Sequence, residues 1–309
     1  MKAIQYSKFG DADMLQWTEV SAPSPGPEQV CIEVKAAGVN PVDWKLRSGS
    51  IPFSFLFRLK LPFVPGAEVA GLVTEIGEQV KDLKVGDEVI GFHSALEGGC
   101  YAQKVIMKEA NCQIKPGNIS FEEGAGAPLA SLTAYQLMKG LPLDGSQVLV
   151  LGGSGGVGHF GIQIAKALGA RVTAVASSRN LEFMSEIGAH ECFAYDDSDY
   201  PNQLKSYDIV LDAVARSTPA GLSTHINRRG AFLSTLPNPV HFAEAALRGI
   251  HYRGAMVDSK PEDMRLLMRW LESGEVKTHV DTTFEIQNAA AAHRESEKGR
   301  TRGKIVLTA

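Results

Sequence analysis

Residues 147–161 read Gln-Val-Leu-Val-Leu-Gly-Gly-Ser-Gly-Gly-Val-Gly-His-Phe-Gly, and no other stretch of the chain narrows the fold as far. An apolar run at 148–151 enters Gly153-x-Gly155-x-x-Gly158. Small or apolar residues then recur at Val157, Phe160, Gly161, Ile164, Ala165 and Leu168. That spacing marks one face of a helix, and Gly169 stands where a left-handed residue ends one. Strand, glycine turn and helix in this order form a dinucleotide-binding fingerprint. Gly153 is expected to permit the tight turn, Gly155 to let the backbone approach a pyrophosphate, and Gly158 to let the helix pack on the strand. Ser154, Gly156 and Val157 complete the turn and the helix N-terminus, whose free N–H groups and positive dipole end favour phosphate.

The second strand of such a unit indicates which dinucleotide is bound. An acidic residue at its end, about 20 residues past the glycines, hydrogen-bonds the ribose 2′-OH of NAD. Here residues 171–176 run into Ser177-Ser178-Arg179-Asn180, with no carboxylate. A guanidinium and hydroxyls bind a 2′-phosphate by charge-assisted hydrogen bonds, so the loop predicts NADPH over NADH. A helix cap at Ser178 followed by a solvated Arg179 is compatible with the same residues.

The 309 residues suffice for two domains with real cores. Charged residues are 21% and the formal net charge is −4, which gives no reason to expect nucleic acid or an anionic membrane as partner. No apolar run reaches the ~20 residues of a membrane span. The start, Met1-Lys-Ala-Ile-Gln-Tyr, has no apolar leader core, and Cys31, Cys100, Cys112 and Cys192 form no CxxC. These features predict a cytoplasmic location with free thiols.

Residues 1–120 read as strands between turns. Residues 30–36 alternate, 64–77 continue the pattern between glycines, and 85–91 add another strand, which predicts a β-rich, barrel-like domain. From Phe121 onward, helical stretches at 122–138, 157–168 and 180–187 alternate with apolar strands at 148–151, 171–176, 209–213, 231–235 and 252–257. That alternation predicts an α/β fold with a doubly wound parallel sheet. A helix at 288–297 and a strand at 303–307 are expected to return the tail to the first domain. The expected division is therefore 1–120 with 258–309, and 121–257 inserted between them. Substrate is expected in the cleft between the two.

Several motifs resemble the medium-chain dehydrogenase/reductase superfamily in its zinc-free quinone oxidoreductase branch. They are Ala36-Ala-Gly-Val-Asn-Pro-Val-Asp-Trp-Lys-Leu-Arg-Ser-Gly49, Pro65-Gly-Ala-Glu-Val-Ala-Gly71, Val85-Gly-Asp-Glu-Val-Ile-Gly91, Pro128-Leu-Ala-Ser-Leu-Thr-Ala-Tyr135, the glycine turn itself, and the tail from Ala292 to Leu307. The likeness covers almost the whole length, and its details look closest to chloroplast-envelope quinone oxidoreductase homologues and alkenal/enone reductases. It implies a Rossmann sheet inserted in a GroES-like partial barrel, and a homodimer paired along the 252–257 edge strand. It puts the catalytic zinc ligands of zinc-dependent relatives at Asn40, Ala67 and about Leu129, residues that cannot bind zinc. A structural zinc lobe needs four close cysteines, where only Cys100 stands, and His93 is a lone histidine. With no Lewis acid to stabilise an alkoxide, hydride transfer to a polarised C=C bond or a quinone is expected rather than alcohol oxidation.

The resemblance also supplies site residues. Ser177, Arg179, Asn180 and Tyr195 are implied around the 2′-phosphate, with Thr133 and Arg302 as further cofactor contacts. Asn40 is the first candidate for meeting the carbonyl oxygen as negative charge develops on it, with Lys45 and Arg47 as alternatives. An Asx-type turn is the competing reading of Asn40-Pro-x-Asp43. The aromatic segment 52–62 reads either as an apolar rim for hydrophobic substrates or as packing. The expected function is NADPH-dependent reduction of an enone, enal or quinone. The alternatives are a one-electron quinone reductase and a non-catalytic NADPH-binding redox sensor.

Overall fold

The computed structural model describes residues 1–50 and 59–309. Among these residues the chain forms β1 (Lys2–Gln5), β2 (Gln16–Glu19), β3 (Gln29–Val39), α1 (Pro41–Ser48), β4 (Glu68–Ile76), β5 (Glu88–Phe92), β6 (Lys104–Lys108), β7 (Cys112–Ile114), α2 (Phe121–Ala125) and α3 (Pro128–Met138). There follow β8 (Gln147–Leu151), α4 (Gly156–Ala167), β9 (Arg171–Ala176), α5 (Leu181–Glu186), β10 (Glu191–Ala194), α6 (Tyr200–Gln203), β11 (Tyr207–Asp212), β12 (Ile226–Ser234), α7 (Pro239–Arg248) and β13 (His251–Gly254). The last elements are α8 (Pro261–Ser273), β14 (Val280–Glu285), α9 (Ala289–Glu297) and β15 (Lys304–Thr308). They fall into two units. One comprises residues 1–129, 258–274 and 278–309; the other comprises 130–257 and 275–277.

In the second unit the strands lie in the order β10-β9-β8-β11-β12-β13, and every neighbouring pair is parallel. This is the doubly wound order, which reverses direction between β8 and β11. Strands covered on both faces need side chains apolar in both directions. The runs at β8, β9 and β11 meet this demand, with Val148, Val150, Val172, Ala174, Val210 and Leu211 all fully buried. Helix α4 buries Phe160, Ile162, Ile164 and Ala165. Gly161 lets α4 sit close, since a Cβ there would lie 2.6 Å from Leu211 Cδ2. Strand β13 ends the sheet.

In the first unit β3 is the pivot. It pairs antiparallel with β15 and β4, and also with β6, while β4 pairs with β5 and β5 with β7. Among the described residues β14 and β7 end this path without pairing, so the sheet is a partial barrel at most. Its core is Val30, Ile32, Val34, Val69, Val89, Met107, Ile305 and Leu307.

Two sequence expectations need correction. The helix expected over 122–138 is two helices, because Pro128 has no N–H to donate and disfavours helical backbone at Ala127. Ser120 and Glu123 cap α2 reciprocally. That short helix packs on β3 and β4, so the units divide between Leu129 and Ala130 rather than after Ser120. No helix of the described residues is long and apolar enough to cross a membrane.

Candidate functional site

The dinucleotide-binding turn lies at the end of β8, in the second unit. The left-handed residue of the turn is Gly152, with φ 74°, rather than Gly153 as expected. Gly153 is required by packing instead: a Cβ there would lie within 3.0 Å of Ala174 Cβ and Ile162 Cδ1. At Gly158 a Cβ would lie 2.0 Å from Gly152 O, so this glycine lets α4 meet the turn. Gly155 differs from both. The nearest atom to a Cβ at Gly155 is Gly152 O at 3.4 Å, an ordinary contact. Protein packing does not demand a glycine at this position. Gly155 is also the N-cap of the twelve-residue helix α4, with no side chain capping its first turn. A backbone surface kept bare beside free N–H groups fits a pyrophosphate.

Behind this turn stands the loop that follows β9. Asn180 is buried, and its Nδ2 donates to Ser154 Oγ and to Ser177 Oγ, both at 3.0 Å. Its two amide hydrogens are thus used inside the protein. The expected phosphate contact at Asn180 is corrected to a brace that ties Ser177 to the glycine turn. Ser178 is also occupied: its N–H and Oγ both donate to Asp196, each at 2.8 Å. The Ser178 hydroxyl, followed by its N–H, holds the Asp196 carboxyl below the usual carboxylate range. Arg179 and Tyr195 are exposed, and Ser177 is half-buried. Thr133 is buried on α3. Arg302 belongs to the first unit, where its backbone N–H donates to Asp281.

The first unit holds a buried polar cluster of its own. Asn40 is not in an isolated turn but is the N-cap of α1, with Pro41 at the first helical position. Its N–H donates to Asp43 Oδ2 at 2.8 Å, half of a capping box. Its side chain turns the other way. Asn40 Nδ2 donates to Glu68 Oε1 at 2.8 Å, and Lys304 Nζ donates to Asn40 Oδ1 at 2.6 Å. Lys304 Nζ also donates to Glu68 Oε1 at 2.9 Å, and the Leu129 N–H donates to Glu68 Oε2 at 2.7 Å. Glu68 thus gathers Asn40, Leu129 and Lys304 around one carboxylate. Gly38 makes room for it, since a Cβ there would lie 2.1 Å from Oε1. Asn40, Glu68 and Lys304 are each at most 4% exposed. The amide is held on both faces, and one Nδ2 hydrogen remains.

Asp43 lies beneath the cluster. Its Oδ2 also accepts the Tyr101 hydroxyl at 3.0 Å, and its Oδ1 has no partner. Burial pushes its carboxyl up to about 7, against the downward pull of the Asn40 N–H and the Tyr101 hydroxyl. His93 and Cys100 face each other at 3.7 Å, and burial lowers the histidine and raises the thiol. Among the described residues no group of three or more His, Cys, Asp or Glu is placed to hold a metal.

The two alternatives to Asn40 have different outcomes. Lys45 is half-buried on α1, with Nζ 5.5 Å from the Trp44 ring centroid. Arg47 is 2% exposed, and its Nε and both terminal nitrogens are each bonded. It donates to Gly10 O, bonds His293 Nδ1 at 3.1 Å, and pairs with Glu297 at 2.6 Å, which fastens α1 to α9. These bonds give Arg47 a structural role between α1 and α9. Of the expected aromatic rim, residues 52–58 lie outside the described residues.

Sequence reasoning missed Glu68, Lys304, Asp43, Tyr101 and Asp196. The signal for the first two was available. Each is a charge that opens a strand whose next residues are apolar or small, and a charge buried there needs a partner.

Comparisons with known proteins agree with this architecture. Residues 26–142 match the family described as alcohol dehydrogenase GroES-like domain, and residues 187–307 match the one described as zinc-binding dehydrogenase. The chain is 33% identical over 325 residues to the chloroplast envelope quinone oxidoreductase homolog of Arabidopsis thaliana, covering 99% of this chain and 98% of that one. It is 35% identical over 319 residues to the NADPH-dependent alkenal/one oxidoreductase of the same plant, covering 99% of this chain and 79% of that one. The Escherichia coli quinone oxidoreductase solved in complex with NADPH superposes with a TM-score of 0.87 at 27% identity, and the whole of both chains is covered. The chain belongs to the quinone oxidoreductase branch of the medium-chain dehydrogenase/reductase superfamily.

Proposed function

We propose that this protein is an NADPH-dependent reductase of α,β-unsaturated ketones and aldehydes, or of quinones. The observation that carries the reading is Gly155, a glycine at a helix N-terminus that the protein's own packing does not require. The similarity to proteins named as quinone and alkenal/one oxidoreductases supports it. When bound, NADPH supplies a hydride from nicotinamide C4. The turn at 152–158 and the first N–H groups of α4 hold the pyrophosphate. Ser177, Arg179 and Tyr195 hold the 2′-phosphate, with Thr133 and Arg302 as further contacts by family resemblance. Asn40 offers its remaining N–H to the substrate oxygen as negative charge develops there, and Lys304 with Glu68 keeps the amide from rotating away.

Purified protein is expected to oxidise NADPH when given a simple enone or a quinone, with product analysis showing the saturated carbonyl or the hydroquinone. Absence of turnover across a broad electrophile panel contradicts the reading. Replacing Asn40 by alanine is expected to lower kcat about thirtyfold while the Kd for NADPH stays within twofold, since one hydrogen bond to a charged oxygen is lost. An unchanged kcat removes Asn40 from the mechanism. Replacing Arg179 by glutamate is expected to cut the NADPH-to-NADH preference in kcat/KM by about tenfold or more, because a cation that pairs with phosphate becomes an anion that repels it. A preference that does not move assigns the discrimination elsewhere.

The reading extends to a homodimer and to a reducing compartment such as the cytoplasm. Cys31, Cys100, Cys112 and Cys192 are all free thiols. Strand β13 ends the parallel sheet, and Leu236, Val240, Phe242, Leu247 and Met256 near it are large, apolar and exposed. A second copy pairing β13 with β13 across a two-fold axis closes the edge and covers those side chains. Sedimentation of the wild type as a dimer, and of the Leu247→Asp and Met256→Asp double variant as a monomer, is expected. A monomeric wild type contradicts this.

A further inference from the structure

Strand β8 carries the glycine turn, and its neighbour across the switch point, β11, carries a second device. β11 ends at Asp212, which is fully buried and pairs with Leu151 of β8. Its carboxylate does not face another side chain. It collects backbone N–H groups from the segment that follows. Oδ1 accepts the Val214 N–H at 3.1 Å and Oδ2 accepts the Ser217 N–H at 2.7 Å, and the Ala215 and Arg216 backbones also bond this carboxyl. Burial pushes the carboxyl up and those N–H groups draw it down. The segment they fold is strained. Ala215 has φ 53°, in the left-handed region that side-chain-bearing residues avoid. The same fold sets Val214 over the glycine turn: a Cβ on Gly152 would lie 2.6 Å from Val214 Cγ1. Val214 is nevertheless 50% exposed, an apolar side chain left open beside the switch point.

The sheet order gives this loop its bearing. The 2′-phosphate loop follows β9, on one side of β8, and the Asp212 loop follows β11, on the other. A dinucleotide in a doubly wound fold crosses the switch point between such strands. Its adenosine half would then face the loop after β9, and its nicotinamide half the loop after β11.

We propose that Asp212 is a positioning residue for the nicotinamide half of the cofactor: by gathering the N–H groups of residues 214–217 it holds a strained loop, and Val214 with it, against the glycine turn. The inference rests on the NADPH reading above. Asparagine at 212 places an amide N–H₂ where a carboxylate oxygen accepts backbone N–H groups. It frees the loop without changing size. Val214 then leaves its place, and Ala215 relaxes out of the left-handed region.

The test measures two ligands by calorimetry. Asp212→Asn is expected to raise the Kd of NADPH tenfold or more. The Kd of adenosine 2′,5′-bisphosphate, which occupies only the adenosine side, is expected to stay within twofold. Adding Ala215→Gly to Asp212→Asn is expected to recover at least threefold of the NADPH affinity, because glycine adopts this φ without strain. Val214→Ala, a change at an exposed side chain, is expected to raise the NADPH Kd threefold or more with no change for the bisphosphate, and it decides the question if Asp212→Asn does not fold. Equal weakening of both ligands, or an unchanged NADPH Kd, overturns the proposal. Wild-type protein that binds the bisphosphate and NADPH with the same affinity overturns it too, and wild-type protein that binds neither overturns the NADPH reading itself.

Discussion

Alanine at Gly155 is expected to leave the protein as stable as the wild type and to weaken NADPH binding about a hundredfold or more, whereas alanine at Gly158 is expected to damage the fold itself. The two glycines belong to one motif but answer to different neighbours. At Gly155 the added methyl meets only Gly152 O at 3.4 Å, and its φ of −81° suits any residue. Nothing in the protein must move. The methyl does fill the space from which a pyrophosphate reaches the first N–H groups of α4. Two charge-assisted hydrogen bonds lost at about 1.5–3 kcal/mol each exceed a factor of a hundred. At Gly158 the methyl would meet Gly152 O at 2.0 Å and Gly153 Cα at 2.8 Å, both backbone atoms that cannot rotate away. Overpacking of this kind costs about 1–3 kcal/mol or more. Thermal unfolding and NADPH titration of the two variants separate the effects. A Gly155→Ala protein that binds NADPH as the wild type does removes the phosphate cradle from the account.

The second large effect is expected at Lys304. Methionine there leaves Glu68 buried without its cation, and stability is expected to fall by about 3–5 kcal/mol. The pair lies 2.9 Å apart with neither side chain more than 3% exposed, so water cannot compensate for the loss. The cost belongs to the stranded charge rather than to the lost contact. Adding Glu68→Gln to Lys304→Met is therefore expected to recover most of the stability, because the amide oxygen still accepts the Leu129 N–H while the charge is gone. Denaturant unfolding of the two single variants and the double variant measures this directly. If the effects simply add, the ion pair is not what holds the cluster. The double variant tests the mechanism as well. It leaves Asn40 without a cation on Oδ1, and kcat is expected to stay below the wild type even though the fold is recovered.

The parts of this structure that follow period and turn chemistry were readable from the chain. The parallel sheet followed from apolar strands spaced by helices, and the glycine turn followed from its own spacing, though Gly152 rather than Gly153 bends it. The elements missed include β1, β2, α1, β6, β7, α6 and β14, the short β10, whose four residues are all half-buried, and the amphipathic α7 and α8, which begin at prolines that sequence reading takes for loops. Site residues were legible where they sit on a motif and hidden where their partners are distant. Asn40 could be singled out, but its partners Glu68 and Lys304 lie 28 and 264 residues away in the chain. Arg47 reads as a free cation only until its guanidinium is seen bonded to His293 and Glu297 of α9. Asn180 and Ser178 read as phosphate contacts, although their donors go to Ser154, Ser177 and Asp196. A linear sequence shows which groups can bind, and the fold decides which of them are still available.

This chain is expected to deliver hydride from NADPH to an activated carbon or a quinone. The most direct measurement uses NADPH carrying deuterium at both C4 positions of the nicotinamide, an α,β-unsaturated ketone and mass spectrometry of the product. The expected product is a saturated ketone carrying one deuterium at the β-carbon, formed in step with NADPH consumed. Consumption of NADPH with no deuterium in any product, or detection of a semiquinone as the first product from a quinone, contradicts it.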